Sequence, residues 1–348
     1  MPETYFLGAN SHKGFYSLYE HFAAGEGDFL HIIKGGPGTG KSGFMRKMAE
    51  AAEKKGYRCE RLLCSGDPDS LDGLYIPELK TGWVDGTAPH AGEPRAFGVN
   101  GDYVNIGQFC RPIGEPERGR VEQLYTAYRQ QYRQAYDFLA GAARLRSAAV
   151  PNVWNDGLIS AAEKRIGGIL RRRAQSKSQA AATVRHCFMS AICCKGRISL
   201  KESVNKLCKQ IYVLDNVFHG GEILLPRCAE AAGAMGLEHI ICHDPLEPEK
   251  PEGIIIPEAG LGFFTGSFEG ESSRHIRLDG MLPQTVCREH RSAMRRAEKL
   301  YEGAMEQAVE RLKEAKRLHD ELESCYKVCM DFEALTEFTE KEVKRIFG

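Results

Sequence analysis

Two short stretches combine residue types and spacings that can do chemistry. The first, GGPGTGKS at Gly35 to Ser42, fits the pattern G-x-x-x-x-G-K-[ST]. Glycines let a backbone turn tightly and aim consecutive N–H groups at phosphate oxygens beside a helix N-terminus. Gly35, Gly36, Pro37, Gly38, Thr39, Gly40, Lys41, Ser42 and Gly43 are therefore the expected phosphate cradle. Lys41 should reach the β- and γ-phosphates of a nucleoside triphosphate, and the Ser42 hydroxyl should ligate Mg2+. The second stretch, Thr81-Gly82-Trp83-Val84-Asp85, is an apolar strand ending in an acid, the form taken by a second Mg2+ ligand. Lys41 and Asp85 are the expected catalytic residues, Ser42 and Asp85 the metal ligands. ATP, or another nucleoside triphosphate, and Mg2+ are the expected cofactors.

The flanking elements stand in the order the loop needs. Phe29-Leu30-His31-Ile32-Ile33 is a short apolar, branched run that reads as a buried strand. After the loop, Phe44, Met45, Met48, Ala49 and Ala52 recur at helical spacing, and Lys54, Lys55 and Gly56 close the segment as a helix end does.

The chain is written twice. Ala49-Glu50-Ala51-Ala52 and Gly56 recur 180 residues later as Ala229-Glu230-Ala231-Ala232 and Gly236, and Gly73 to Glu78 recurs as Gly253 to Glu258. With small gaps, Asp67-Pro68 parallels Asp244-Pro245, Phe6 parallels Phe188, and Lys13-Gly14 parallels Lys195-Gly196. Positions kept only in the first copy are candidates for chemistry. At the offset of 180, Gly35 becomes Asp215, Gly38 becomes Phe218, Lys41 becomes Gly221, Ser42 becomes Glu222 and Asp85 becomes Thr265. Acids at the loop ends repel a polyphosphate and no lysine replaces Lys41, so the second copy should not bind a triphosphate in this way. That Lys41, Ser42 and Asp85 vanish together is what one Mg–nucleotide site predicts.

Other residues are weaker candidates. His90 is absent from the second copy and either serves a substrate or sits in an exposed turn. Glu78 persists as Glu258, which argues against a catalytic base. Lys13 persists as Lys195, which suggests a structural role or a second pocket. Nothing distinguishes Arg95, Arg111 and Arg118 as partners of developing phosphate charge.

Two α/β halves are expected, each a mostly parallel sheet flanked by helices and followed by a helical hairpin. Residues 1–180 form the first, with its appendage at about 121–175; residues 181–348 form the second, with its hairpin at about 286–345. Val121, Tyr128, Ala135 and Ala142 step by sevens, as do Met294, Tyr301, Ala308, Ala315 and Leu322. Such seams either cover their own half's sheet or meet a second copy or another partner, which makes a homodimer through the hairpins one reading.

Composition removes several classes. Lys+Arg and Asp+Glu are equal at 47 each, so no global field favours nucleic acid or an anionic membrane. The basic run near Arg171-Arg172-Arg173 has no interleaved aromatics and reads as a solvated helix end. No apolar run approaches the ~20 residues that span a bilayer. MPETYFLGAN lacks a signal peptide's charged and apolar segments, so a cytoplasmic location is expected. The twelve cysteines show no paired Cys-x-x-Cys spacing and read as reduced thiols.

With GGPGTGKS, the Ser70 to Leu79 segment, VDGTAPH at Val84 to His90, and Arg185 to Gly196 in hand, the whole chain resembles an uncharacterised bacterial family of ATPases built from tandem P-loop halves. The resemblance implies ATP binding and a cytoplasmic location. Members usually keep a phosphate loop in both halves, and this chain departs from them at Asp215 to Glu222. ATP hydrolysis is the expected reaction. A kinase for a nucleotide or small metabolite, with His90, Asp67 or Asp69 lining an acceptor pocket, is one alternative; a non-catalytic ATP-dependent switch or interaction protein, whose helical hairpins engage a partner, is another.

Overall fold

The structure, a computed structural model, describes all residues except 88–92, 95, 149–151, 175–181, 217, 267 and 269–272. The first half runs β1 (Thr4–Tyr5), β2 (Gly8–Ser11), β3 (Gly14–Ser17), β4 (Phe29–Lys34), α1 (Lys41–Lys54), β5 (Glu60–Leu63), β6 (Leu71–Ile76), β7 (Thr81–Asp85), β8 (Gly101–Asn105), α2 (Glu115–Ala148) and α3 (Asp156–Arg173). The second runs β9 (Val184–Cys187), β10 (Ser190–Cys193), β11 (Gly196–Ser199), α4 (Lys201–Leu207), β12 (Gln210–Leu214), α5 (Gly220–Ala234), β13 (His239–His243), β14 (Pro251–Ile256), β15 (Leu261–Thr265), β16 (Ser273–Ile276), α6 (Gln284–Lys327) and α7 (Phe332–Phe347).

Each half builds a six-stranded sheet, in the order β1-β5-β6-β7-β4-β8 and, equivalently, β9-β13-β14-β15-β12-β16. The sheets are mixed rather than mostly parallel. β4 lies parallel between β7 and β8, which explains its uninterrupted apolar run, whereas β5–β6 and β6–β7 are antiparallel. β6 turns into β7 through Pro77–Leu79 with Lys80 in the left-handed region. A connection that short cannot make the crossover that parallel pairing needs.

Register sharpens the repeat. Cys64 N–H bonds Ser70 O at 3.1 Å and Asp244 N–H bonds Lys250 O at 2.9 Å. Asp67-Pro68 therefore matches Glu247-Pro248, without a gap, and not Asp244-Pro245. In the sheets Ile33 pairs with Asp85 and Leu214 with Thr265, while the buried helix face matches Phe44 to Leu224. The second strand-to-helix loop is thus one residue shorter. Lys34 rather than Gly35 is the counterpart of Asp215, while Gly221 and Glu222 keep their match to Lys41 and Ser42.

The trailing helices do not return as hairpins. α2 packs along α6, antiparallel, with Val121 and Leu124 against Leu318 and Leu322, and Ala135 and Leu139 against Ala308 and Leu312. From Tyr301 to Leu322 the second seam therefore lies against the first within one chain rather than on its own sheet, while Met294 packs on the second half's core. α3 lies on α5 of the second half, burying Ile166 and Leu170 beside Leu224 and Cys228. α7 lies on α1 of the first, with the Phe338 ring 6.2 Å from that of Phe44. A shared core joins the halves at Phe6 and Phe188, whose backbones exchange two hydrogen bonds of 3.0 and 2.9 Å. Lys13–Glu249 and Lys195–Asp69 form reciprocal ion pairs across this junction, which gives both lysines an interface role. All twelve cysteines are free thiols. Among the described residues no helix is long and apolar enough to cross a membrane.

Candidate functional site

β4 delivers the chain to a loop of six residues, Gly35 to Gly40, that opens α1. Thr39 Oγ1 donates to Gly36 O at 2.8 Å and holds the turn, and Gly38 and Gly40 take φ of +68° and +93°. α1 starts without a side-chain cap, so no side chain screens the N–H groups of its first turn. Lys41 Nζ donates to Gly35 O at 3.0 Å and Gly36 O at 2.8 Å and lies 3.6 Å from Asp85 Oδ2. Asp85 Oδ1 accepts from Thr87 N–H at 2.8 Å and from the Thr87 hydroxyl. Ser42 Oγ accepts from the Leu71 N–H at 3.0 Å. Lys41 and Asp85, far apart in the chain, thus meet because β4 and β7 are parallel neighbours.

Residues from the other half lie over this loop. A Cβ on Gly38 would stand 2.8 Å from Glu323 O, in a backbone conformation that already favours glycine, and one on Gly36 would stand 3.1 Å from the Tyr326 ring. One turn before Glu323 on α6, His319 packs its ring 5.4 Å from that of Tyr128. Burial, with Lys316 and Lys41 adding, holds His319 below its ordinary pKa against the pull of Glu323 and Asp320, so it is neutral at pH 7. Lys316 Nζ lies 3.4 Å from Asp67 Oδ2. Sequence reasoning missed Lys316, His319 and Glu323: they sit in a charged helix with no motif, and only the packing of α6 on α2 brings them here.

The remaining candidates are elsewhere. Glu78 is exposed at the opposite end of β6 and β7 from the loop. Arg111 donates to Val328 O, and Arg118 is paired with Glu115. His90 and Arg95 lie outside the described residues.

In the second half the equivalent place is chemically different. The Trp154 indole donates to Phe218 O at 2.7 Å, and its ring lies so close to Gly220 that a Cβ there would meet it at 2.3 Å. Gly221 is pressed against Thr265 in the same way. Arg197 bridges Asp244 and Glu252 at 3.2 and 3.0 Å, Arg146 holds Asp244 and Glu247, and Lys250 holds Glu222 and Glu247 at 2.8 and 2.9 Å. Two buried acids sharing Arg197 do not ionise equally. Despite burial, Asp244 is kept well below the usual range by Arg197, Arg146 and the Glu247 N–H. Glu252 is pushed up to about 7 by burial and by Asp244, against the pull of Arg197 and Ser190. The folded chain then keeps a proton that the unfolded chain loses near the ordinary glutamate value, so stability falls as pH rises toward 7. Glu252→Gln should flatten that fall between pH 5 and pH 8. Thermal unfolding of the two proteins across this range is the check, and parallel curves would contradict it.

Among the described residues no group of three or more His, Cys, Asp or Glu is arranged to hold a metal ion. Comparison of the chain with protein families, with curated proteins and with solved structures finds no match in any of the three.

Proposed function

We propose that the first half binds a Mg–nucleoside triphosphate, ATP as the first candidate, and hydrolyses it, with α6 of the second half completing the site. The chain would then be a tandem P-loop ATPase acting through one nucleotide site. The observation that supports this best is the glycine loop running from a parallel strand into an uncapped helix, with Lys41 beside Asp85. Loop amides would hold phosphate oxygens, and Lys41 would exchange the Gly35 and Gly36 carbonyls for the β- and γ-phosphates.

The residues present fit Mg2+. The ion takes one or two protein oxygens and otherwise phosphate and water, so a three-residue cluster is not required, and the Ser42 hydroxyl and Asp85 carboxylate are of the right type. Held by Ser42 and Asp85, the ion would neutralise phosphate charge. His319, one helical turn before the Glu323 that meets Gly38, is the candidate to accept a proton from an attacking water.

Phosphate release from Mg–ATP tests the reading. His319→Ala should lower kcat by about 100-fold while leaving ATP affinity unchanged; an unchanged kcat would remove His319 from the reaction. The switch reading is favoured by one observation, the seating of Glu323 and Tyr326 on the loop. Tight ATP binding with no phosphate release would select it. A kinase has less support, because Asp69 and Asp67 are engaged by Lys195 and Lys316.

A further inference from the structure

A cavity of about 940 Å3 lies in the second half where the first half holds its phosphate loop, among the carboxyl ends of β12 and β15, the α5 N-terminus and the flank of α6. Its volume falls within the range of small-molecule sites, and its position at the ends of parallel strands is where α/β sheets bind ligands. The loss of the Lys41 and Asp85 side chains, replaced by Gly221 and Thr265, leaves this end of the sheet open.

The wall has two charge populations. The inner acids are already answered: Asp244, Glu252 and Glu222 are held by Arg146, Arg197 and Lys250. Arg291 and Arg295 are not. They stand one turn apart on α6, line the cavity, and have no acidic partner among the described residues. Phe218 and Met294 give the same cavity an apolar surface. Glu298 and Asp279 also line the cavity, but among the described residues no ion pair joins either to the two arginines. A guanidinium pair outside ion-pair distance of the lining acids, beside an apolar wall, matches an anion carried on an apolar body.

We propose that this cavity binds a small organic acid, a carboxylate or a phosphate monoester, through Arg291 and Arg295. The site is independent of the nucleotide reading. Thermal unfolding of the full chain in a Lys41→Ala background tests it without the phosphate loop, using phenyl phosphate and phthalate as the two anion types. KCl at matched ionic strength is the control. At about 10 mM, at least one probe should raise Tm by about 2 °C or more over KCl. The probe that does so names the class. Arg291→Gln/Arg295→Gln, at exposed positions that leave the core intact, should abolish the shift. No shift with either probe, or the same shift in the double variant, would overturn the proposal.

Discussion

Replacing Lys41 by alanine is expected to abolish the thermal stabilisation that Mg–ATP gives the wild-type chain. Lys41 is the residue whose loss separates the two halves most directly, since its counterpart is Gly221. Its side chain is 11% exposed and satisfied by two loop carbonyls, so the amine is already aimed into the cradle. A ligand at 100 times its dissociation constant stabilises the folded state by about 2.7 kcal/mol, a shift of several degrees for a chain of this size. Removing the only lysine in the loop should reduce that shift to nothing and phosphate release by about 100-fold or more. The variant itself should fold, because the carbonyls it leaves remain within reach of water. Melting curves with and without Mg–ATP decide the matter. An undiminished shift in Lys41→Ala would place the nucleotide elsewhere.

Arg197→Met should destabilise the chain by about 3–5 kcal/mol, the usual cost of stripping a buried ion pair of one partner. The acids it leaves, Asp244 and Glu252, are 9% and 3% exposed. Asp244 retains Arg146, so the burden falls on Glu252, whose remaining partner is the Ser190 hydroxyl. Without Arg197 its pKa must rise further than about 7. The variant would then go on losing stability above pH 7, where the wild type levels off, so the difference is larger at pH 8 than at pH 6. Urea unfolding at the two values measures it. A constant difference would mean that Glu252 does not carry the penalty.

Much of the candidate site was legible because it is local. A phosphate loop is a run of glycines between a strand and a helix, and each of those is set by side-chain spacing over a few residues. The repeat turned Asp85 into a named candidate by showing Thr265 in its place, and the sheets bear out that correspondence. The heptad seams were legible too, as apolar faces in want of a partner.

The identity of that partner was not. Periodicity states that a face is apolar but not which other face fits it, and here α2 and α6 fit each other, while α3 and α7 cross to α5 and α1. Strand direction also escaped, because an antiparallel return depends on how tightly a connection turns, which Pro77–Leu79 settles only with Lys80 in the left-handed region. The sequence by itself determined the glycine loop, the helix after it, the loss of Lys41, Ser42 and Asp85 from a second copy that keeps the helix, and the α/β class. The tertiary structure alone decided that the halves share a core at Phe6 and Phe188, that Glu323 and Tyr326 stand over a loop encoded far upstream, and that the second half holds a cavity rimmed by Arg291 and Arg295. The reason is physical: local spacing controls which surfaces a chain makes, and only packing in three dimensions controls which of them meet.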